Sequence, residues 1–290
     1  MLEGLDEVDW SMYRGAYGPC TEAPDILRAM ASPDPEAARQ GHFGFASSFW
    51  NQETVYPVTV QVVPFLIELA TADGVHERDQ LLQMLGALTD PEQCDGPDAP
   101  AVRQAVVAGS VALLPQADDP DPSVRAAAAY VLGRCGGHTV GALRRRWDTE
   151  TDPEVRAELL LAIAHNGGAS GELLWAAAAE AGLEPAAVAL AYAKAGLPLP
   201  PATVAAVAGS FAAGSWHTPW SVRGGLARGH GTVRRGVRRR ACRRLAAHRT
   251  AWASAPGTCL AHSVPGEPVC AGGVDAAAAR AADGPGRRGR

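Results

Sequence analysis

Between residues 122 and 168 apolar side chains recur at the spacing of one helical face, and the pattern occurs twice. Val124, Ala127, Ala128, Val131 and Leu132 fall at i, i+3, i+4, i+7 and i+8. Val155, Leu159, Ala162 and Ile163 repeat that stripe 31 residues later, with Glu158 its one polar departure. Both stripes open alike, on Asp121-Pro122-Ser123-Val124-Arg125-Ala126 and on Asp152-Pro153-Glu154-Val155-Arg156-Ala157. Proline at the first helical position costs nothing, because its missing N–H has no intrahelical partner there anyway. Gly136-Gly137 and Gly167-Gly168 supply the residue type that stops a helix. A period of this length predicts stacked helical hairpins, with a second and looser helix between the copies at 140–147.

The same periodicity predicts helices at about 23–31, 34–49, 58–72, 76–88, 101–117, 122–135, 153–166, 172–181, 185–195 and 202–213. Residues 50–57 read as a turn-rich connection. Residues 89–100, with several Asp and Pro, read as a loop. Nothing of any length alternates like a strand. Residues 1–21 carry Trp10, Tyr13 and Tyr17, spaced to pack on one side of a short helix that covers the first repeat. The fold class expected is all-α, an α-solenoid over residues 1–215.

The Asp-Pro-x-Val-Arg openings resemble the HEAT repeat, in the short HEAT-like form known from bilin lyases. Trp10, Ala16-Tyr17-Gly18 and the stretch from Thr54-Val55-Tyr56 to Val63-Pro64-Phe65-Leu66 resemble a group of actinobacterial HEAT-repeat proteins. Those proteins usually read His-Gln-Gly where this chain has Asn51-Gln52-Glu53. The resemblance implies a helical scaffold that holds another protein. A lyase-like or accessory role related to the bilin-lyase repeats is the alternative it allows.

Composition changes the picture at one place. Through Ser215 the chain holds 12 basic and 28 acidic residues; beyond it stand 14 Arg and three acids, so the sign of the charge reverses. Apolar periodicity stops at the same point. Residues 216–290 are therefore expected to be a poorly structured basic tail rich in Arg, Ala, Gly and Pro. Three origins remain open for it. They are a nucleic-acid arm built on Arg234, Arg235, Arg238, Arg239, Arg240, Arg243 and Arg244, a disordered extension, or a reading-frame shift in GC-rich DNA. The frame shift accounts best for losing periodicity and reversing charge together. A nucleic-acid partner is expected only through the 234–244 cluster, since the acidic remainder repels phosphate.

No motif for a catalytic triad, a zinc protease, a phosphate loop or a dinucleotide fold occurs, so no catalytic residue, metal or cofactor is expected. Six cysteines without a CxxC pair read as free thiols. Cys259 and His262 match no familiar zinc module. Ala195–Val222 lacks acidic and Lys/Arg charge, but four prolines and many small residues argue against a membrane span. With no secretory signal in view, the expected location is the cytoplasm. The candidate binding residues are Asn51, Gln52, Glu53 and Tyr56 in a polar loop, and Arg125 and Arg156 one repeat apart. The two arginines read either as a ladder that grips an anion or, more simply, as one that ties repeats together with Asp121 and Asp152 at the helix starts.

Overall fold

The computed structural model describes residues 1–213 apart from 92 and 181. The expected tail at 216–290, with its arginine cluster and Cys242, Cys259 and Cys270, lies outside the described residues.

Eleven α-helices stand among the described residues: α1 (Ala23–Met30), α2 (Pro35–Ser48), α3 (Pro57–Thr71), α4 (Arg78–Thr89), α5 (Ala99–Leu113), α6 (Pro122–Leu132), α7 (Val140–Trp147), α8 (Pro153–His165), α9 (Gly171–Ala179), α10 (Pro185–Lys194) and α11 (Pro201–Ala213). Most begin with proline in the first turn, and acidic side chains cap the key ones. Asp34, Asp121 and Asp152 each accept a hydrogen bond from an N–H of the first turn, which satisfies donors that have no partner within the helix. Consecutive helices pack as hairpins, and α4, α6, α8 and α10 stack one on the next. The molecule is an all-α solenoid.

The stacked helices run parallel. Arg78 at the start of α4 pairs with Asp119 just ahead of α6 at 2.9 Å, while Asp90 past the end of α4 pairs with Arg134 past the end of α6 at 3.1 Å. Starts therefore lie beside starts and ends beside ends. The end of α8 follows suit, as Asn166 Nδ2 donates to the Leu132 carbonyl of α6 at 2.9 Å. Small residues let these helices close up. A methyl on Gly133 would lie 2.6 Å from the Ala162 Cα, and one on Gly86 would run into the Tyr130 ring.

Burial on α6 exceeds a single stripe. Every side chain from Ala126 to Leu132 is buried, because α4 and α8 flank the helix and the 3-10 turn Leu114–Asp118 packs against it. Glu158, the polar departure in α8, is 1% exposed.

Three local expectations are corrected. The lead-in is not one short helix. It consists of 3-10 turns at Leu5–Glu7 and Trp10–Met12 and a hairpin of β1 (Arg14–Gly15) with β2 (Gly18–Pro19). Gly15, Gly18 and Pro19 break any helix there. Trp10 packs against Phe65 at 6.0 Å and donates its indole N–H to the Leu5 carbonyl at 2.8 Å, whereas Tyr17 is 81% exposed. The connection at 50–57 contains a second hairpin, β3 (Trp50–Asn51) with β4 (Thr54–Val55). The helix expected over 101–117 ends at Leu113 and tightens into a 3-10 turn, Leu114–Asp118, since Pro115 has no N–H to continue the α-helical bonding.

The close approach of α4 to α6 generates a test. Gly86→Ala is expected to lower stability by about 1–3 kcal/mol through overpacking. Gly141→Ala, in the exposed part of α7, should raise it by roughly 0.5–1 kcal/mol through helix propensity. Urea midpoints of the two variants check both signs.

Candidate functional site

The β3–β4 hairpin closes on Gln52 and Glu53, with φ of 51° and 69°. A two-residue hairpin demands positive φ at both central positions, which is why Asn-Gly is its preferred pair. Side chains with a Cβ resist this conformation at a cost of about 1 kcal/mol each. The strained turn is held from outside: Asp95 donates its N–H to the Glu53 carbonyl at 2.7 Å and accepts from the Val55 N–H at 3.0 Å.

Asn51 joins this hairpin to two other elements. Its Nδ2 donates to the Ser47 carbonyl of α2 at 2.9 Å and to the Tyr17 hydroxyl at 3.1 Å, across 34 residues of sequence. The β1–β2 turn is fastened to the same helix end by the Ala16 N–H on the Ser48 carbonyl at 2.9 Å. Phe43, one turn before Ser47 on α2, is 71% exposed. Tyr17 and Asn51 thus belong to one tied junction of two hairpins and the end of α2, and Phe43 stands exposed one turn earlier on that helix. Tyr56 plays a different part: it precedes α3 and packs, half-buried, against the core. Its N–H donates to Thr59 Oγ1 at 3.0 Å.

Arg125 and Arg156 occupy equivalent positions at the stacking edge. Arg125 donates to both Glu150 carboxylate oxygens, at 2.8 and 3.2 Å, and to the Asp119 and Pro120 carbonyls. Arg156 donates to both Glu180 oxygens at 2.6 Å and to the Trp147 and Glu150 carbonyls, with its guanidinium 4.0 Å from the Trp147 ring centre. Each arginine ties the end of the preceding helix to a carboxylate of the following hairpin. The carboxylates are Glu150 and Glu180; Asp121 and Asp152 cap helices instead. Burial alone would raise the Glu150 pKa, but hydrogen bonds from Arg125, from the Asp152 and Thr151 N–H groups and from Arg146 outweigh it and hold the carboxyl at about 2.

A second polar group lies at the opposite ends of α4 and α6, and sequence reasoning missed it. Arg134 pairs with Asp90 and stacks over the Tyr130 ring at 4.0 Å, while Gln93 donates to Asp90 and to the Tyr130 hydroxyl at 2.8 Å. Burial pushes the Tyr130 hydroxyl up to about 12, so it stays protonated. The only sequence hint was Glu158 in an apolar stripe. Phe43 was legible, since Arg39 and Ser47 four residues to either side mark a solvent face.

Other chemistry-bearing groups lie in the core. Ser110, fully buried, lies within hydrogen-bond distance of the Val107 carbonyl at 2.6 Å and of His138 Nε2 at 2.8 Å. Burial raises the thiols of Cys20 and Cys94 to about 11 and Cys135 to about 12, and all three are free. Among the described residues no group of three or more His, Cys, Asp or Glu is placed to hold a metal, and no helix is long and apolar enough to cross a membrane.

Residues 110–192, from the end of α5 through most of α10, match the family model for HEAT repeats. No curated protein and no solved structure is significantly similar to the chain.

Two measurements test this geometry. The Glu150 carboxyl is depressed from 4.5 to about 2 in the folded state. Its contribution is therefore complete above pH 4.5 and is lost as the pH falls towards 2. Glu150→Gln should flatten that part of the stability–pH profile, read by thermal melts across the range. Glu53→Gly should relieve the left-handed turn and raise stability by about 1 kcal/mol in urea titrations.

Proposed function

We propose that this chain is a non-catalytic HEAT-repeat scaffold that binds another protein, and that the Tyr17–Phe43 junction is part of the binding surface. The observation that carries this reading is the pair of large aromatic rings, 81% and 71% exposed, presented by elements already locked together by Asn51. Aromatic side chains dominate binding energy at protein interfaces. Holding them rigid beforehand lowers the ordering cost of association. Asn51, Gln52 and Glu53 belong to this surface and set its shape through the strained turn. Tyr56 packs half-buried against the core ahead of α3. Arg125 and Arg156 serve between later repeats, as ties of the scaffold.

A protein partner fits better than nucleic acid because 28 acidic residues face 12 basic ones through Ser215, a field that repels a phosphate backbone. Free thiols at Cys20, Cys94 and Cys135 suit a reducing, cytoplasmic setting.

The experiment is affinity capture from the source cell with the full chain and with a Tyr17→Ala/Phe43→Ala variant. Both side chains are exposed, so the variant should keep its stability to within about 0.5 kcal/mol. A protein retained by the wild type and lost by the variant is the expected result. Identical sets from both would refute the patch as a binding surface.

A further inference from the structure

The outward side of α5 breaks the usual pattern of a surface helix. Gln104, Ala108, Val111 and Ala112 are exposed there, Pro115 continues the strip, and the helix's one charged residue, Arg103, is half-buried. Solvent-facing helix sides normally carry charge, yet here Val111 is 66% exposed with no ionic group on its face. The 3-10 turn Leu114–Asp118 brings this strip against α7. Between them lies an open groove of about 380 Å³, lined by Val111, Leu114, Pro115, Ala142, Arg145 and Arg146, with Asp118 at the rim. That volume sits at the small end of ligand pockets, roughly 300–1,000 Å³, with room for a few side chains.

Helix α7 carries Arg144, Arg145 and Arg146 in succession, a basic run within an otherwise acidic solenoid. Two of the three are engaged. Arg144 donates to the Gly168 carbonyl, and Arg146 pairs with Glu150 at 2.8 Å and with Asp118 at 3.4 Å. The Arg145 side chain is exposed, and its guanidinium has no hydrogen-bond or ion-pair partner among the described residues. It stands among the groove's lining, beside the exposed apolar strip of α5.

We infer that the α5–α7 groove is a docking site for an acidic peptide segment bearing a large apolar side chain, the apolar group lying over Val111 and Ala142 and a carboxylate on Arg145. The complementarity is local, because charges beyond about 8 Å are screened at physiological salt. One carboxylate needs one guanidinium, in the bidentate geometry that Arg provides. A continuous polyanion would also meet Asp118 at the rim and the exposed Asp148 three residues past Arg145, which disfavours nucleic acid at this place. The inference rests on the scaffold reading above but uses a surface separate from Tyr17 and Phe43.

The probe is a displayed library of short random peptides, panned against the full chain and counter-selected on Arg145→Glu, which cancels binding to the basic segment past Ser215. Retained peptides should share Asp or Glu within one turn of a large apolar residue. For the consensus peptide, fluorescence anisotropy should show Arg145→Glu and Val111→Asp each weakening binding by at least about tenfold. Added salt should weaken it too, and Tyr17→Ala/Phe43→Ala should leave it unchanged. Four results overturn the inference: no acidic–apolar consensus, binding indifferent to both substitutions, displacement of the peptide by a DNA oligonucleotide, or a dimer that Val111→Asp converts to monomer in sedimentation. Any of these leaves the capture experiment on the aromatic junction standing, so the two readings fail separately.

Discussion

Parallel stacking of α4, α6, α8 and α10 at close range is the constraint from which the other features follow. Helices whose backbones approach this nearly cannot carry large side chains at every facing position. Gly86 under the Tyr130 ring and Gly133 over the Ala162 backbone are the places where that limit is reached. Alanine elsewhere along α6, at 126 to 129, keeps the spacing while still burying apolar surface.

Stacking in parallel also crowds like ends together. Carbonyl groups that terminate one helix lie near the loops opening the next hairpin, and something must satisfy them. Arg125 and Arg156 do so with one arm while the other closes on Glu150 or Glu180 of the following hairpin. Arg78 follows the same logic earlier in the stack, reaching the Ala70 carbonyl and Asp119. Such partly buried pairs add little net energy against hydrophobic replacements. Their directional bonds instead pin how far one repeat slides and turns on its neighbour.

A stack fixed in this way leaves its outer surfaces free to differ. The hairpins tied by Tyr17 and Asn51, with Phe43 on the adjoining helix, offer aromatic rings beside a strained turn, and the α5–α7 groove offers a mixed lining with one unengaged guanidinium. The two proposed surfaces differ in chemistry, one aromatic and the other set around a single guanidinium.

Local chemistry was readable along the chain. Asp121 and Asp152 cap helices two residues away, Pro115 ends α5 within two residues, and the apolar period places α6 and α8 at their repeat spacing; each needs only neighbours in sequence. The partner of Arg125 lies 25 residues on, Tyr17 meets Asn51 across 34, and Arg134 finds Asp90 across 44. No periodicity encodes those meetings, because they depend on how rigid helices come to rest against one another. The turn at Gln52 and Glu53 makes the same point from the other side: its residues disfavour the conformation they adopt, and bonds from Asp95, brought in by the packed loop, hold them there. Helix identity is a matter of dihedral preference and hydrophobic period, which are properties of short segments. Which side chains face one another, and which are left facing water, is settled when those segments exclude solvent together.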